Sequence, residues 1–211
     1  ATAGDVLTTK GDVLTRSASA LGRLGVGSND QVLTADSTQS LGIKWAVAGG
    51  GNYKLLATYQ AGSTASSYSF TSLSVDLTQK HMILFVSGVP SANLALELKI
   101  NGVTSTYSDQ ITTIIGTTEV HSASSSQSEF TIGESTVLLS DSRFFGEFHI
   151  YGNELSTRTG IHGNITSMGT ARQETSGFVA TGSATVTSID LETSTSTWTA
   201  DTHFELYEVT I

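Results

Sequence analysis

Five histidines, His81, His121, His149, His162 and His203, are the side chains of this 211-residue chain best suited to ligate a metal or act as a base. Metal binding would need at least two of them at short spacing, as in His-x-His or His-Glu-x-x-His, and neither pattern occurs. His81, His149 and His203 fall within or at the start of stretches that read as strands, so a place on a strand face or edge is the preferred reading. Serine, histidine and aspartate are plentiful. Even so, no Gly-x-Ser-x-Gly elbow presents a nucleophile, and a triad is defined by geometry rather than abundance. Glycoside cleavage would need two carboxyls about 5–9 Å apart. Glu147, Glu154, Glu174, Glu205 and Glu208 could supply them, but only Glu205 and Glu208 are close in sequence, and a solvated strand face accounts for them better. Gly25-Val26-Gly27 and Gly49-Gly50-Gly51 lack the following helix and Lys-Ser/Thr of a phosphate loop, and read as turn or hinge glycines. With no cysteine, a thiolate metal site, a disulfide framework and a cysteine nucleophile are all excluded. We therefore expect no catalytic, cofactor-binding or metal site, and a protein that is not an enzyme.

The elements that would position these side chains are β. Charged residues are only 14% of the chain, against about 25% in ordinary soluble domains. Hydroxyls supply the missing polarity, with 30 Ser and 32 Thr. Threonine favours strands through its branched Cβ, and serine with glycine favours turns. The formal net charge of −9 and the lack of any cluster of Lys and Arg argue against nucleic acid as a partner. No run of about 18 apolar residues is present, so no membrane-inserted helix is expected. The opening Ala1-Thr2-Ala3-Gly4-Asp5 shows no basic region followed by an apolar run, so no signal peptide is visible in it.

Two regions follow from the patterning. In residues 1–48, Gly4-Asp5-Val6-Leu7-Thr8 recurs as Gly11-Asp12-Val13-Leu14-Thr15 and, more weakly, as Asp30-Gln31-Val32-Leu33-Thr34. Glycine, aspartate and β-branched residues in each unit oppose a helix. The region reads as short extended segments separated by turns, too poor in apolar residues to form a core alone and suited to intertwining with identical copies. Residues 49–52 read as a glycine hinge. Residues 53–211 read as a β-sandwich of jelly-roll type. Leu94, Leu96, Leu98 and Ile100 alternate with polar residues, and Asn101-Gly102 signals a type I′ hairpin into Val103–Tyr107. His81–Val86 is apolar on both faces and predicts a central strand covered on both sides. Phe144–Tyr151, Ala184–Leu191 and His203–Val209 read as further strands. His121–Ser128 reads as a hydroxyl-rich loop.

The leader also carries a resemblance. Thr8-Thr9-Lys10-Gly11-Asp12-Val13-Leu14-Thr15, Leu21-Gly22-Arg23-Leu24-Gly25-Val26-Gly27, Gln31-Val32-Leu33-Thr34-Ala35-Asp36-Ser37 and Gly42-Ile43-Lys44-Trp45 resemble a segment of tail-fibre and other virion appendage proteins of tailed phages. The likeness spans residues 8–46 at nearly the same spacing. Tyr53-Lys54-Leu55-Leu56, His81–Val86 and Phe204–Val209 resemble, more loosely, the sandwich that follows in that group, with Glu208 where its ending commonly has Gly. The resemblance implies a homotrimeric structural protein on a virion surface, either a tail-fibre or receptor-binding appendage or a capsid decoration or head-fibre protein. It implies other virion proteins as partners of the leader and a host surface glycan or protein as a partner of the head.

Overall fold

A computed structural model describes residues 3–47, 52–153, 156–168, 171–194 and 196–210. The chain divides into two compact units, residues 1–51 and 52–211. The glycines expected as a hinge, Gly49 to Gly51, lie outside the described residues.

The first unit holds one helical turn, α1 (Ala3–Val6), and two hairpins, β1 (Val13–Arg16) with β2 (Leu21–Leu24) and β3 (Gln31–Ala35) with β4 (Ile43–Val47). The second and third copies of the repeat begin β1 and β3. The first copy, expected to be extended, is instead helical through Val6. It has no paired strand among the described residues, so its backbone groups must be met locally. The Asp12 carboxylate accepts the backbone N–H groups of Thr8 (3.0 Å), Thr9 (2.7 Å) and Val26 (3.2 Å) and lies 3.3 Å from the Arg23 guanidinium. One side chain thus ties the turn before β1 to the end of β2. Trp45 on β4 donates its indole N–H to the Gly25 carbonyl at 2.6 Å. Gly27 passes so close beneath that indole that a Cβ there would lie 2.7 Å from the ring. The Gly25-Val26-Gly27 run is therefore a packing surface for tryptophan.

The second unit contains β5 (Tyr53–Gln60), β6 (Ser67–Phe70), β7 (Val75–Asp76), β8 (Lys80–Gly88), β9 (Leu96–Ile100), β10 (Tyr107–Ile115), β11 (Thr118–Gln127), β12 (Phe130–Gly133), β13 (Phe144–Asn153), β14 (Ser156–Ser167), β15 (Ala171–Ala180), β16 (Thr185–Val186), β17 (Ile189–Thr193) and β18 (His203–Thr210). Eight of these form a jelly roll. The order β5-β18-β8-β13 in one sheet faces β6-β17-β9-β12 in the other, so the pairs nest, outermost with outermost and innermost with innermost. Beyond β13 the larger sheet continues through β14, β15, β10 and β11, giving eight strands against four, all antiparallel.

The core fills the space between the sheets. Leu94, Leu96, Leu98 and Ile100 are fully buried, as their alternation predicted, opposite Phe144, Phe148, Ile150, Phe204 and Leu206 of the larger sheet. Trp198 closes one end. It packs edge-on against Phe204 with ring centroids 5.1 Å apart, and its backbone bridges Ala65 and Pro90.

Four expectations are revised here. Asn101 (φ 54°) and Gly102 (φ 65°) do make a left-handed turn closed by Val103 N–H to Ile100 O, but it is no hairpin. β9 stays in the small sheet, whereas β10 joins the large one. The Asn101 side chain accepts the N–H groups of Thr187 and Ser188, and this divides the expected strand Ala184–Leu191 into β16 and β17. His121–Ser128 is no loop: most of it belongs to β11, an edge strand exposed along its whole length. Lastly, β8 is central, with Met82, Leu84 and Val86 buried on the core side, but its second side is covered only in part: Ile83 is 2% exposed there, whereas Phe85 is 36% exposed.

Candidate functional site

Strand parity sorts the eight-stranded sheet into an inner face packed on the core and an outer face that no described element of this unit covers. Register then aligns the outward side chains in rows. One row runs Glu205, Phe85, Glu147, Asn164, Glu174, Thr112 and His121; the next runs Tyr207, Ile83, His149, His162, Ser176, Gln110 and Ala123. His81 and Tyr151 are opposite one another in a third row, and His203, Ser87 and Phe145 share a fourth. All five histidines of the sequence thus project from one face of one sheet.

Their contacts are short-range and repetitive. His149 Nε2 lies 2.8 Å from Glu147 Oε1, His203 Nε2 is 3.4 Å from Glu205 Oε1, and His121 Nε2 is 3.5 Å from Glu119 Oε1. Each pair joins residues two apart on one strand, which is the spacing that returns a side chain to the same face. Tyr207 donates its hydroxyl to Glu205 at 3.0 Å, an interaction that holds the phenol proton in place and raises its pKa. The His81 and His149 ring centroids are 6.0 Å apart. Burial, and then repulsion by a charged His149, keep His81 below the usual imidazole range. His162 stands directly across from His149. The described residues contain no group of three or more candidate ligands placed to hold a metal.

Apolar side chains surround the imidazoles. Phe145 is 51% and Tyr151 46% exposed, and Phe85 meets Tyr207 edge to face at 5.8 Å. Further along the same face, Phe178 carries the Arg158 guanidinium 4.7 Å above its ring. It borders a shallow depression of about 340 Å³ lined by Ser108, Gln110, Ala123, Ser124 and Ser176.

The candidate carboxylates do not converge. Glu205 points outward, whereas Glu208 is buried on the inner side of the same strand and pairs with Lys80 at 2.9 Å. Glu147 and Glu205 flank Phe85 on opposite sides, Glu174 sits two strands from Glu147, and Glu154 lies outside the described residues. A buried polar seam occupies the inner side where β10 and β15 pass β12. There Gln173 accepts the Glu134 N–H at 2.7 Å and donates to Thr175 at 2.7 Å, while Thr113 donates to Glu134 at 3.0 Å. Asp109 is also buried, with Oδ1 unpartnered, and desolvation raises its pKa.

The arrangement offers imidazole, carboxylate and aromatic surfaces spread over a sheet face, which is the chemistry of a contact surface. Sequence reasoning treated each histidine separately. The one signal of the shared face was the apolar His81–Val86 run, which puts Ile83 and Phe85 on the same side as His81. No family model, curated protein or solved structure matches the chain.

Proposed function

We propose that this chain is a structural protein of a tailed-virus particle, a homotrimeric tail-fibre or receptor-binding appendage at the virion surface. Residues 1–48 attach it to other virion proteins, and the jelly roll faces outward, toward a glycan or protein of the host surface. The observation that carries this reading is the leader. Among the residues 8–46 that resemble phage appendage segments, several also make the leader's internal contacts: Asp12 with Arg23, Gly27 beneath Trp45, and Trp45 on Gly25. The protein acts by attachment and contact, without catalysis.

A capsid decoration or head-fibre role is the second reading. It is favoured by the direct passage from leader to jelly roll, with no repetitive shaft between them. Gold-labelled antibody on purified particles separates the two. Label at the tail supports the appendage, label over the head supports decoration, and unlabelled particles refute both. Purified protein that neither binds host cells nor competes with particle adsorption refutes the receptor-binding role.

A further inference from the structure

We propose that a groove over β10 and β11, at one end of the eight-stranded sheet, is a binding site for an uncharged glycan chain. The inference rests on reading the jelly roll as the host-facing part of the protein, and it names the class of ligand held there and the residues that hold it.

Register builds the groove. Three rungs cross from β15 through β10 to β11: Phe178, Ser108 and Ser125; Ser176, Gln110 and Ala123; Glu174, Thr112 and His121. They lie on the outer face, because Asp109, Ile111 and Thr113, which alternate with them along β10, are buried. The depression of about 340 Å³ runs from Phe178 and Ser108 to Ala123. A second, of about 320 Å³, runs from Gln110 and Ala123 to Thr112 and His121. Gln110 and Ala123 line both, so the two depressions meet at the middle rung, where the Ala123 methyl keeps the floor low. At about 3.3 Å per residue, the span from Ser108 to Thr112 is roughly 13 Å, which suits a chain of linked rings better than a single one. β11 ends the sheet, so the groove is open on that side.

The class of ligand follows from the wall and the floor. Phe178 is the wall, and it is 38% exposed. β15 stands between β14 and β10, so Arg158 of β14 sits 4.7 Å over the ring from one side while the depression opens on the other. The cation–π contact holds the ring upright, and an electron-rich aromatic face suits the C–H side of a sugar ring. Along the floor, the Ser108, Thr112 and Ser176 hydroxyls and the Gln110 amide can each donate and accept hydrogen bonds. Sugar hydroxyls do the same. The His121 imidazole closes the far end, with Nδ1 3.0 Å from the Thr112 hydroxyl. Among the described residues no carboxylate, ammonium or guanidinium projects into the groove. Glu174 lines neither depression, and Asp109 turns to the core, where the Thr131 N–H meets its carboxylate. An anionic ligand would therefore find no cation between these walls, and an apolar peptide anchor would leave the hydroxyls without partners.

The full-length chain is tested against immobilised glucan, galactan, mannan and rhamnan fragments, with polygalacturonate fragments as the charged comparison. At least one neutral fragment should bind. Phe178→Ala removes the wall without touching the core and should weaken that binding about tenfold. Ala123→Arg fills the middle rung of an exposed edge strand, where a charge is tolerated, and should abolish it. Tyr53→Ala, at an exposed aromatic on the opposite edge strand β5, should leave it unchanged. Absence of binding to every neutral fragment, or binding indifferent to both groove variants, overturns the site. Binding confined to polygalacturonate overturns the uncharged class. On host cells, periodate, which cleaves the diols of sugars, should abolish the binding that depends on Phe178. Binding that survives periodate gives the groove to a protein and overturns the glycan, while leaving host attachment standing. A chain that binds neutral fragments through Phe178 but no host cell fails the host-facing reading alone.

Discussion

Tyr107→Phe isolates one hydrogen bond at the join between the two sheets. Tyr107 is fully buried, and its hydroxyl oxygen accepts the backbone N–H of Ile100 at 2.8 Å. Ile100 ends β9 in the small sheet and Tyr107 begins β10 in the large one, so the bond fastens the crossing segment between them. Phenylalanine keeps the ring and leaves the Ile100 N–H without its partner. An orphaned buried donor costs about 1–3 kcal/mol, which for a unit of this size lowers Tm by roughly 4–8 °C at the middle of that range. A second signature comes from ionisation. Burial, outweighing the bond to Ile100, pushes the Tyr107 phenol up to about 12. An acid held protonated in the folded state loses stability as pH rises, once the unfolded chain begins to ionise near about pH 10. The wild type should therefore lose up to roughly 2–3 kcal/mol from this residue between about pH 10 and 12, while the variant loses none of it. The gap between them should be flat below pH 9 and narrow above pH 10. Urea unfolding followed by Trp198 fluorescence in a Trp45→Phe background measures both quantities. A difference under about 0.5 kcal/mol at pH 7, or a gap that does not narrow in alkali, would refute the reasoning.

Two further predictions concern carboxylates whose environments have opposite sign. Asp109→Asn should stabilise the jelly roll at pH 7 by about 1 kcal/mol, because the buried carboxylate has an unpartnered oxygen and a raised pKa. The gain should vanish as pH falls below the ordinary aspartate range and the wild-type group becomes neutral; a constant gain across that range in urea titrations would count against this account. Asp12 is the converse case: the N–H groups of Thr9, Thr8 and Val26, with Arg23, overcome its desolvation and hold its pKa down. Its contribution is present above the unfolded value and lost as pH falls through the folded one. Asp12→Ala should collapse the distinct Trp45 indole N–H resonance in the NMR spectrum, and an unchanged resonance would show that the carboxylate does not hold the leader turn.

Local chemistry made much of the fold legible. Alternation at Leu94–Ile100 identified a strand and its buried face, because a period of two admits no other regular structure. Asn101-Gly102 identified a left-handed turn, because those two residues tolerate positive φ at least cost. What the turn joins was not legible. The partners of β9 are β12 and β17, the latter nearly ninety residues downstream, and nothing in residues 94–107 encodes them. β11 was missed for a related reason: its serines carry no period, and it is a strand because β10 offers a row of backbone partners.

By itself, then, the sequence determined the class of structure and the absence of cysteine chemistry, both of which depend on composition and short-range pattern. Only the tertiary structure decided that Glu205 and Glu208 part to opposite sides of one strand, that Gly27 exists to admit Trp45, and that five scattered histidines share a single face. The physical reason is register. Parity sets which side of its own strand a residue takes, but which strands are neighbours, and which side of the sheet is left bare, follows from long-range pairing and the burial of the whole core.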